Sequence, residues 1–319
     1  MSETHSGWNK GKQSWGNLAY PWPFMNQSLI LSIGEVLWDL FPEGPRFGGA
    51  PANFACHAAA LGGNVSMVSA VGNDSQGHGA VKILQSYGID TSLVQQIPDA
   101  PTGAVGVNVD ASGKPTYIIH ADAAWDRIAW TPDLLHSIEK AGAVYFGTLG
   151  QRGEVSRSTI HQALGEAKAR GILRVLDVNL RRPFYNDALI RESVSQASVL
   201  KLSDEELSEV AAACGIALEA KAEDMLRSLL TSHQLTLVAM TRGAEGALLV
   251  SATETVDQPG IPTVVRDTVG AGDSFTAALV IGLLCGDPLA TIARNACEIA
   301  SAVCGQSGAV PELPHISRD

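Results

Sequence analysis

Apolar residues in this chain fall in short runs, and most runs are too brief for anything but strands. The first, at residues 29–33, is Leu-Ile-Leu-Ser-Ile, with almost no alternation, as a strand buried on both faces requires. Similar runs predict strands at 65–71, 143–146, 174–178, 199–202 and 235–240. Helical patterns fall between them, at 80–87 and 156–170, and the strand at 235–240 is read with a helix on either side of it in sequence. Short strands separated by helices dictate a mainly parallel sheet with helices on both faces, an α/β fold. One stretch breaks the rhythm. Residues 103–110 and 115–120 flank the polar turn Ala111-Ser112-Gly113-Lys114, which predicts a β-hairpin.

Composition narrows the partners. The chain has 319 residues, 45% of them hydrophobic, enough for one large core over residues 29–319. Its net charge of −11, with no basic stripe, disfavours nucleic acid and acidic membrane surfaces. The longest apolar run, 275–285, is too short to span a bilayer. Cys56, Cys214, Cys285, Cys297 and Cys304 form no CxxC pair, and the start of the chain lacks the pattern of a secretory signal. A reducing cytoplasm is the expected location. Residues 1–28 are polar and irregular and carry Trp8, Trp15 and Trp22. This extension reads either as loosely docked or as anchored by its tryptophans.

Two glycine-rich segments carry the candidate chemistry. Asp267-Thr268-Val269-Gly270-Ala271-Gly272-Asp273 runs straight into an apolar helix at 276–284. Glycines let consecutive amides converge, and a helix N-terminus adds its positive end, so an anion fits there. Asp273 stands at the rim, where a carboxylate can take a proton from an attacking hydroxyl. The second segment is Gly48-Gly49-Ala50-Pro51-Ala52-Asn53, continued by small residues to Gly63. Packing against a sheet accounts for its alanines but not for Asn53, which offers a donor and an acceptor to a polyol. No Gly-x-x-x-x-Gly-Lys-Ser/Thr loop is present, and the eight histidines show no metal spacing.

Both segments, in this order, resemble the two signatures of the ribokinase-like (PfkB) carbohydrate kinases, over about residue 29 to the C-terminus. The resemblance implies a three-layer sandwich with a small β-sheet lid, formed by segments near 36–47 and 101–122. It makes Asp273 the catalytic base and the amides of Gly270, Ala271 and Gly272 the anion hole. It implies ATP and a sugar as substrates, Mg²⁺ on the phosphates, K⁺ as a candidate monovalent cation, and a homodimer through the lid as an expectation.

Further residues take roles from the same resemblance. Gly49, Asn53 and Asp39, the last at the exit of the first strand, contact the sugar. Asp177-Val178-Asn179-Leu180-Arg181-Arg182 looks like members acting on keto sugars and sugar acids, which carries Arg181 to the substrate and Asn179 to the nucleotide phosphates. Lys201, Thr241, Gly243, Gly246 and Asn295 fall on the nucleotide side. Glu206 organises Mg²⁺ through water, or forms a capping box with Ser203, and both can hold together. Asp267 and Ser307 are the candidate cation residues. The variants Gly-Glu-x-Leu-Trp-Asp and Ser-Asp-Glu-Glu look most like fructokinases, so D-fructose is the expected acceptor. The alternatives are 2-keto-3-deoxygluconate, ribose or another sugar, a nucleoside, or a non-catalytic regulator on the same fold.

Overall fold

The computed structural model describes residues 28–109, 115–218 and 221–311. The tryptophan-bearing extension and the hairpin's turn lie outside the described residues. Strand β1 (Leu29–Ile33) leads into β2 (Leu37–Phe41), β3 (Gly44–Gly48) and helix α1 (Ala50–Ala60). Next come β4 (Asn64–Gly72), α2 (Ser75–Ser86) and β5 (Val94–Ile97). The predicted hairpin is β6 (Gly103–Val109) and β7 (Pro115–Ile119), followed by α3 (Pro132–Ile138), β8 (Ala141–Gly147) and α4 (Glu154–Ala169). Alternation continues through β9 (Leu173–Asp177), α5 (Asp187–Gln196), β10 (Val199–Ser203), α6 (Asp204–Ala213) and α7 (Ala222–Ser232). β11 (Leu237–Thr241), β12 (Ala247–Ser251) and β13 (Thr255–Gln258) precede the last helices, α8 (Ala271–Cys285) and α9 (Leu289–Cys304).

The large sheet has the order β13-β12-β11-β10-β9-β8-β1-β4-β5. From β5 to β11 all neighbours are parallel. Strand β1 faces both ways: Leu31 and Ile33 join a core with α4 and α7, while Ile30 joins another with Phe54 of α1 and Leu279 of α8. The chain leaves β1 toward β4 on one side and later returns to β8 on the other. At such a reversal the crossovers diverge and open a crevice at the C-terminal ends of the strands.

From the C-terminal end of β1 the chain passes into a separate four-stranded sheet of order β3-β2-β6-β7. Its hold on the body is side-chain specific. The Trp38 indole N–H donates to the Gln76 carbonyl at 3.0 Å. Beyond β7, Arg152 donates 2.8 Å bonds to both Asp126 oxygens and a 2.7 Å bond to the His120 carbonyl. Its guanidinium also lies over the rings of Trp125 and Phe184.

Two elements differ from the sequence reading. Among the described residues no α-helix directly follows β11: a single 3-10 turn, Gly243–Glu245, doubles the chain back into the antiparallel pair β12 and β13. Gly246, at φ +90°, lets the chain turn there, with the Gln258 carbonyl filling the space a side chain would need. The apolar run that follows is too short for a helix and is buried as a strand. Helix α2 starts earlier than the predicted 80, because Asp74 accepts the Gly77 amide at 2.7 Å and caps it. Gly77 and Gly79 in the first turns hide that start from a propensity reading. Among the described residues no helix is long and apolar enough to cross a membrane.

Candidate active site

The N-terminus of α8 meets the sheet at the crevice. Gly270, its N-cap, has φ +82°, and the Ala309 carbonyl occupies the space any Cβ would need, so only glycine fits. The Ser274 amide donates to Gly270 O at 2.9 Å and the Ala271 amide to Thr268 O at 3.3 Å. The Gly272 and Asp273 amides, in the first turn, have no carbonyl of the helix to bond.

Asp273 is fixed from across the molecule. Its Oδ2 accepts a 2.9 Å bond from Asn53 Nδ2 on α1. Burial, followed by the negative charge of Asp177, pushes the Asp273 carboxyl up to about 6. Asn53, Lys201 and Arg181 pull it the other way. A carboxylate so poised is basic enough to receive a hydroxyl proton yet ionised at neutral pH.

Behind it sits a buried ion pair. Lys201 of β10 lies 3.1 Å from Asp177 Oδ1 at the end of β9. The Thr276 hydroxyl shares its proton between Asp177 Oδ2, at 3.1 Å, and the Gly272 carbonyl, at 2.9 Å. Burial works against the Lys201 ammonium, but Asp177 and Glu206 outweigh it and hold its pKa above the usual value. A Cβ on Gly272 would stand 3.0 Å from Lys201 Nζ, which places the cation beside the glycine turn.

The opposite wall comes from β2, α1 and the turn after β1. Asp39 faces Arg46 across the β2–β3 pair. Burial lifts its carboxyl to about 6 against the pull of Arg181 and Arg46. Gly49, at φ +105°, packs so closely that a Cβ would come within 2.5 Å of the Glu35 carbonyl oxygen. Glu35 itself is 3% exposed. Burial raises its carboxyl to about 7, although it accepts the Ala50 amide at the start of α1. Its Oε2 has no hydrogen-bond partner among the described residues. Arg181 is exposed at the mouth and acts electrostatically on Glu35, Asp39 and Asp273 together.

The remaining candidates follow the same sheet edge. Asn179, at φ +41°, comes just after the end of β9, Lys201 lies at the centre of β10 and Thr241 ends β11, on three adjacent strands. Gly243, at φ +54°, and Gly246 bound the turn after β11. Asn295 on α9 is 4% exposed, so it is not on a solvated helix face, and its Nδ2 lacks a partner among the described residues. Among the described residues no hydrogen bond joins Thr241, Gly243 or Asn295 to Asp273. Asp267 Oδ2 accepts the Gly308 amide at 3.0 Å and its Oδ1 the Val269 amide at 3.1 Å, which brings the 267 and 307 turns together. Glu206 forms the capping box: Oε2 accepts the Ser203 amide at 2.8 Å, while Oε1 accepts the Leu180 amide at 2.7 Å. Among the described residues no cluster of His, Cys, Asp and Glu could cage a metal.

Sequence reasoning gave no role to Glu35, Asp177, Thr276 or Tyr145. Glu35 carried a usable signal, since an acid directly after a buried strand has the same claim to the crevice as Asp39. Tyr145 did not: its hydroxyl is buried without a partner among the described residues, and burial, followed by the charges of Asp177, Asp273 and Glu35, raises its pKa.

The profile described as pfkB family carbohydrate kinase matches residues 44–316. Fructokinase-2 of Solanum lycopersicum is 28% identical, over 92% of this chain and 95% of its own. An ATP-dependent 6-phosphofructokinase of Thermoanaerobacterium thermosaccharolyticum is also 28% identical, over 90% and 91%. Among solved structures, the fructokinase of Vibrio cholerae O395 in its fructose-, ADP- and calcium-bound form superposes with a TM-score of 0.75. It is 27% identical, over 90% of this chain and 96% of that one.

Proposed function

The chain belongs to the pfkB family of carbohydrate kinases, and from that premise we propose that it phosphorylates a neutral hexose, D-fructose before others, to fructose 6-phosphate. The observation that carries the reading is the Asp273 carboxylate at the first turn of α8, held at 2.9 Å by Asn53 and lifted to about 6.

The reaction runs as an in-line transfer from ATP. The sugar hydroxyl attacks the γ-phosphorus, its proton passes to Asp273, and the bond to the bridging oxygen of ADP breaks. Amides of Gly270 and Gly272 bond the transferring oxygens, joined by the Ala271 amide as it gives up its long 3.3 Å bond to the Thr268 carbonyl, and Lys201 beside Gly272 neutralises developing charge. A divalent ion on the phosphates supplies further charge neutralisation when bound. With no cage among the described residues and both Glu206 oxygens engaged, Glu206 would reach it through water. Asp39, Gly49 and Asn53 hold the sugar, and the small sheet above them acts as the lid that excludes water. Asn179, Thr241, Gly243, Gly246 and Asn295 take the nucleotide side, and the joined turns of Asp267 and Ser307 the monovalent cation.

Charge favours a neutral acceptor. Three carboxyls, the buried Glu35 and the partly buried Asp39 and Asp273, share the influence of Arg181. An acceptor bringing a carboxylate or phosphate would compete with them for that arginine. The test is ADP release with a panel of sugars, then competition reading kcat/KM for fructose, 2-keto-3-deoxygluconate, ribose and fructose 6-phosphate. Fructose is expected to lead. A higher value for the sugar acid or the sugar phosphate overturns the acceptor assignment, and no ADP release with any sugar overturns the kinase assignment.

A further inference from the structure

Helix α1 presents two polar side chains four residues apart, and therefore on one face, toward the C-terminal part of the chain. Asn53 bonds Asp273. The other is His57, which the mechanism above does not use. It is 0% exposed, and its Nε2 lies 2.9 Å from the carbonyl oxygen of Ala309. A carbonyl only accepts, so Nε2 carries the ring proton and Nδ1 is a bare acceptor, without a partner among the described residues. Burial keeps the ring neutral by pushing its pKa down to about 4. A buried imidazole donating a single bond is a costly way to fill space, unless that bond fixes something.

Ala309 shows what it fixes. Its carbonyl group and Cα stand against Gly270, in the space a Cβ there would need. The carbonyl is thus pinned between the imidazole and the first glycine of the α8 turn. Among the described residues the segment around it is also tethered where the Gly308 amide donates to Asp267 at 3.0 Å and the Tyr87 hydroxyl donates to the Val310 carbonyl at 3.2 Å. Of these tethers, His57 alone grips the residue that touches Gly270.

We propose that His57 is a positioning residue for phosphoryl transfer, which sets Gly270 and the amides after it by holding the Ala309 carbonyl. The inference rests on the reading of Gly270 to Gly272 as the anion hole. One face of α1 would then align both halves of the chemistry, the base through Asn53 and the anion hole through His57. Misplaced amides still bind the ground-state phosphate loosely but lose their aim at the charge that develops in transfer, so kcat should suffer and sugar binding should not.

Three variants test this. His57→Gln places an amide N–H near the position of Nε2, His57→Asn is too short to reach it, and His57→Leu fills the space with no donor. Loss of one oxyanion donor costs about 10²–10³ in kcat, so a displaced hole should cost about 10–100-fold in the Leu and Asn variants. Sugar KM is expected to stay within about twofold, and the Gln variant to recover most of kcat. Equal kcat in all three overturns the proposal. So does a loss that tracks melting temperature rather than the presence of a donor. If the Leu variant does not fold, the Gln–Asn pair decides alone. A wild type that releases no ADP with any sugar overturns the kinase reading and this inference with it, whereas an active wild type with an equally active Leu variant overturns the inference only.

Discussion

At the scale of single residues, burial tunes carboxylates, and the tuning has a sign. The Asp273 carboxyl is raised to about 6, chiefly by burial and then by Asp177. As the proposed base it works only when ionised, so kcat/KM should be full above that value and fall as pH drops through about 6. Asn53 bonds the ionised form and holds the pKa down. Asn53→Ala should therefore shift the acidic limb of the pH–rate profile upward, besides weakening sugar saturation. A limb that stays put would deny the hydrogen bond its role. Asp273→Asn keeps the shape but cannot accept a proton, and turnover should fall by about 10²–10⁴-fold with sugar binding little changed. Turnover near the wild-type rate would end the assignment of Asp273 as the base.

At the scale of elements, the sequence displayed what each segment must do alone and concealed what segments do to each other. The strands were legible because burial on both faces leaves an unbroken apolar run, as in 29–33 and 199–202. The glycine turn before α8 was legible because its composition is dictated by local backbone geometry at Gly270. The β11–β12–β13 hairpin was not, because a short apolar run fits a buried strand or part of a helix equally, and pairing decides. The Asp177–Lys201 pair was invisible for the same reason: each residue ends or interrupts an apolar run, and only adjacency of β9 and β10 joins them. That pair yields a stability prediction. Lys201→Met strands a buried carboxylate and should cost about 3–5 kcal/mol. Adding Asp177→Leu should restore most of the loss while leaving the enzyme inactive. Chemical denaturation of the single and double variants measures both. A double variant no more stable than the single would show that the pair is not the source of the cost.

At the scale of the whole molecule, the small sheet meets the body through Trp38 and Phe47, which pack on the core, and just beyond β7 through Arg152. It grips His120 just past β7, Asp126, and the rings of Trp125 and Phe184, the last in the loop that also bears Arg181. Arg152→Ala should free the small sheet and that loop together. Sugar KM is expected to rise about tenfold, a loss of about 1.4 kcal/mol, while nucleotide binding measured by calorimetry stays near wild type. An unchanged sugar KM would mean that the sheet does not cover the acceptor.

The Asn53–Asp273 hydrogen bond closes a span of 220 residues. A ribosome therefore delivers the two halves of the reaction centre far apart in time, and the enzyme cannot work on any nascent chain that stops short of α8. Contacts between such distant positions carry the largest loop-closure penalty and form late. When denatured protein is returned to native conditions, far-ultraviolet circular dichroism should recover before sugar-dependent ADP release does. Catalysis would be the last property this chain acquires as it folds, and the first to go when its two ends part.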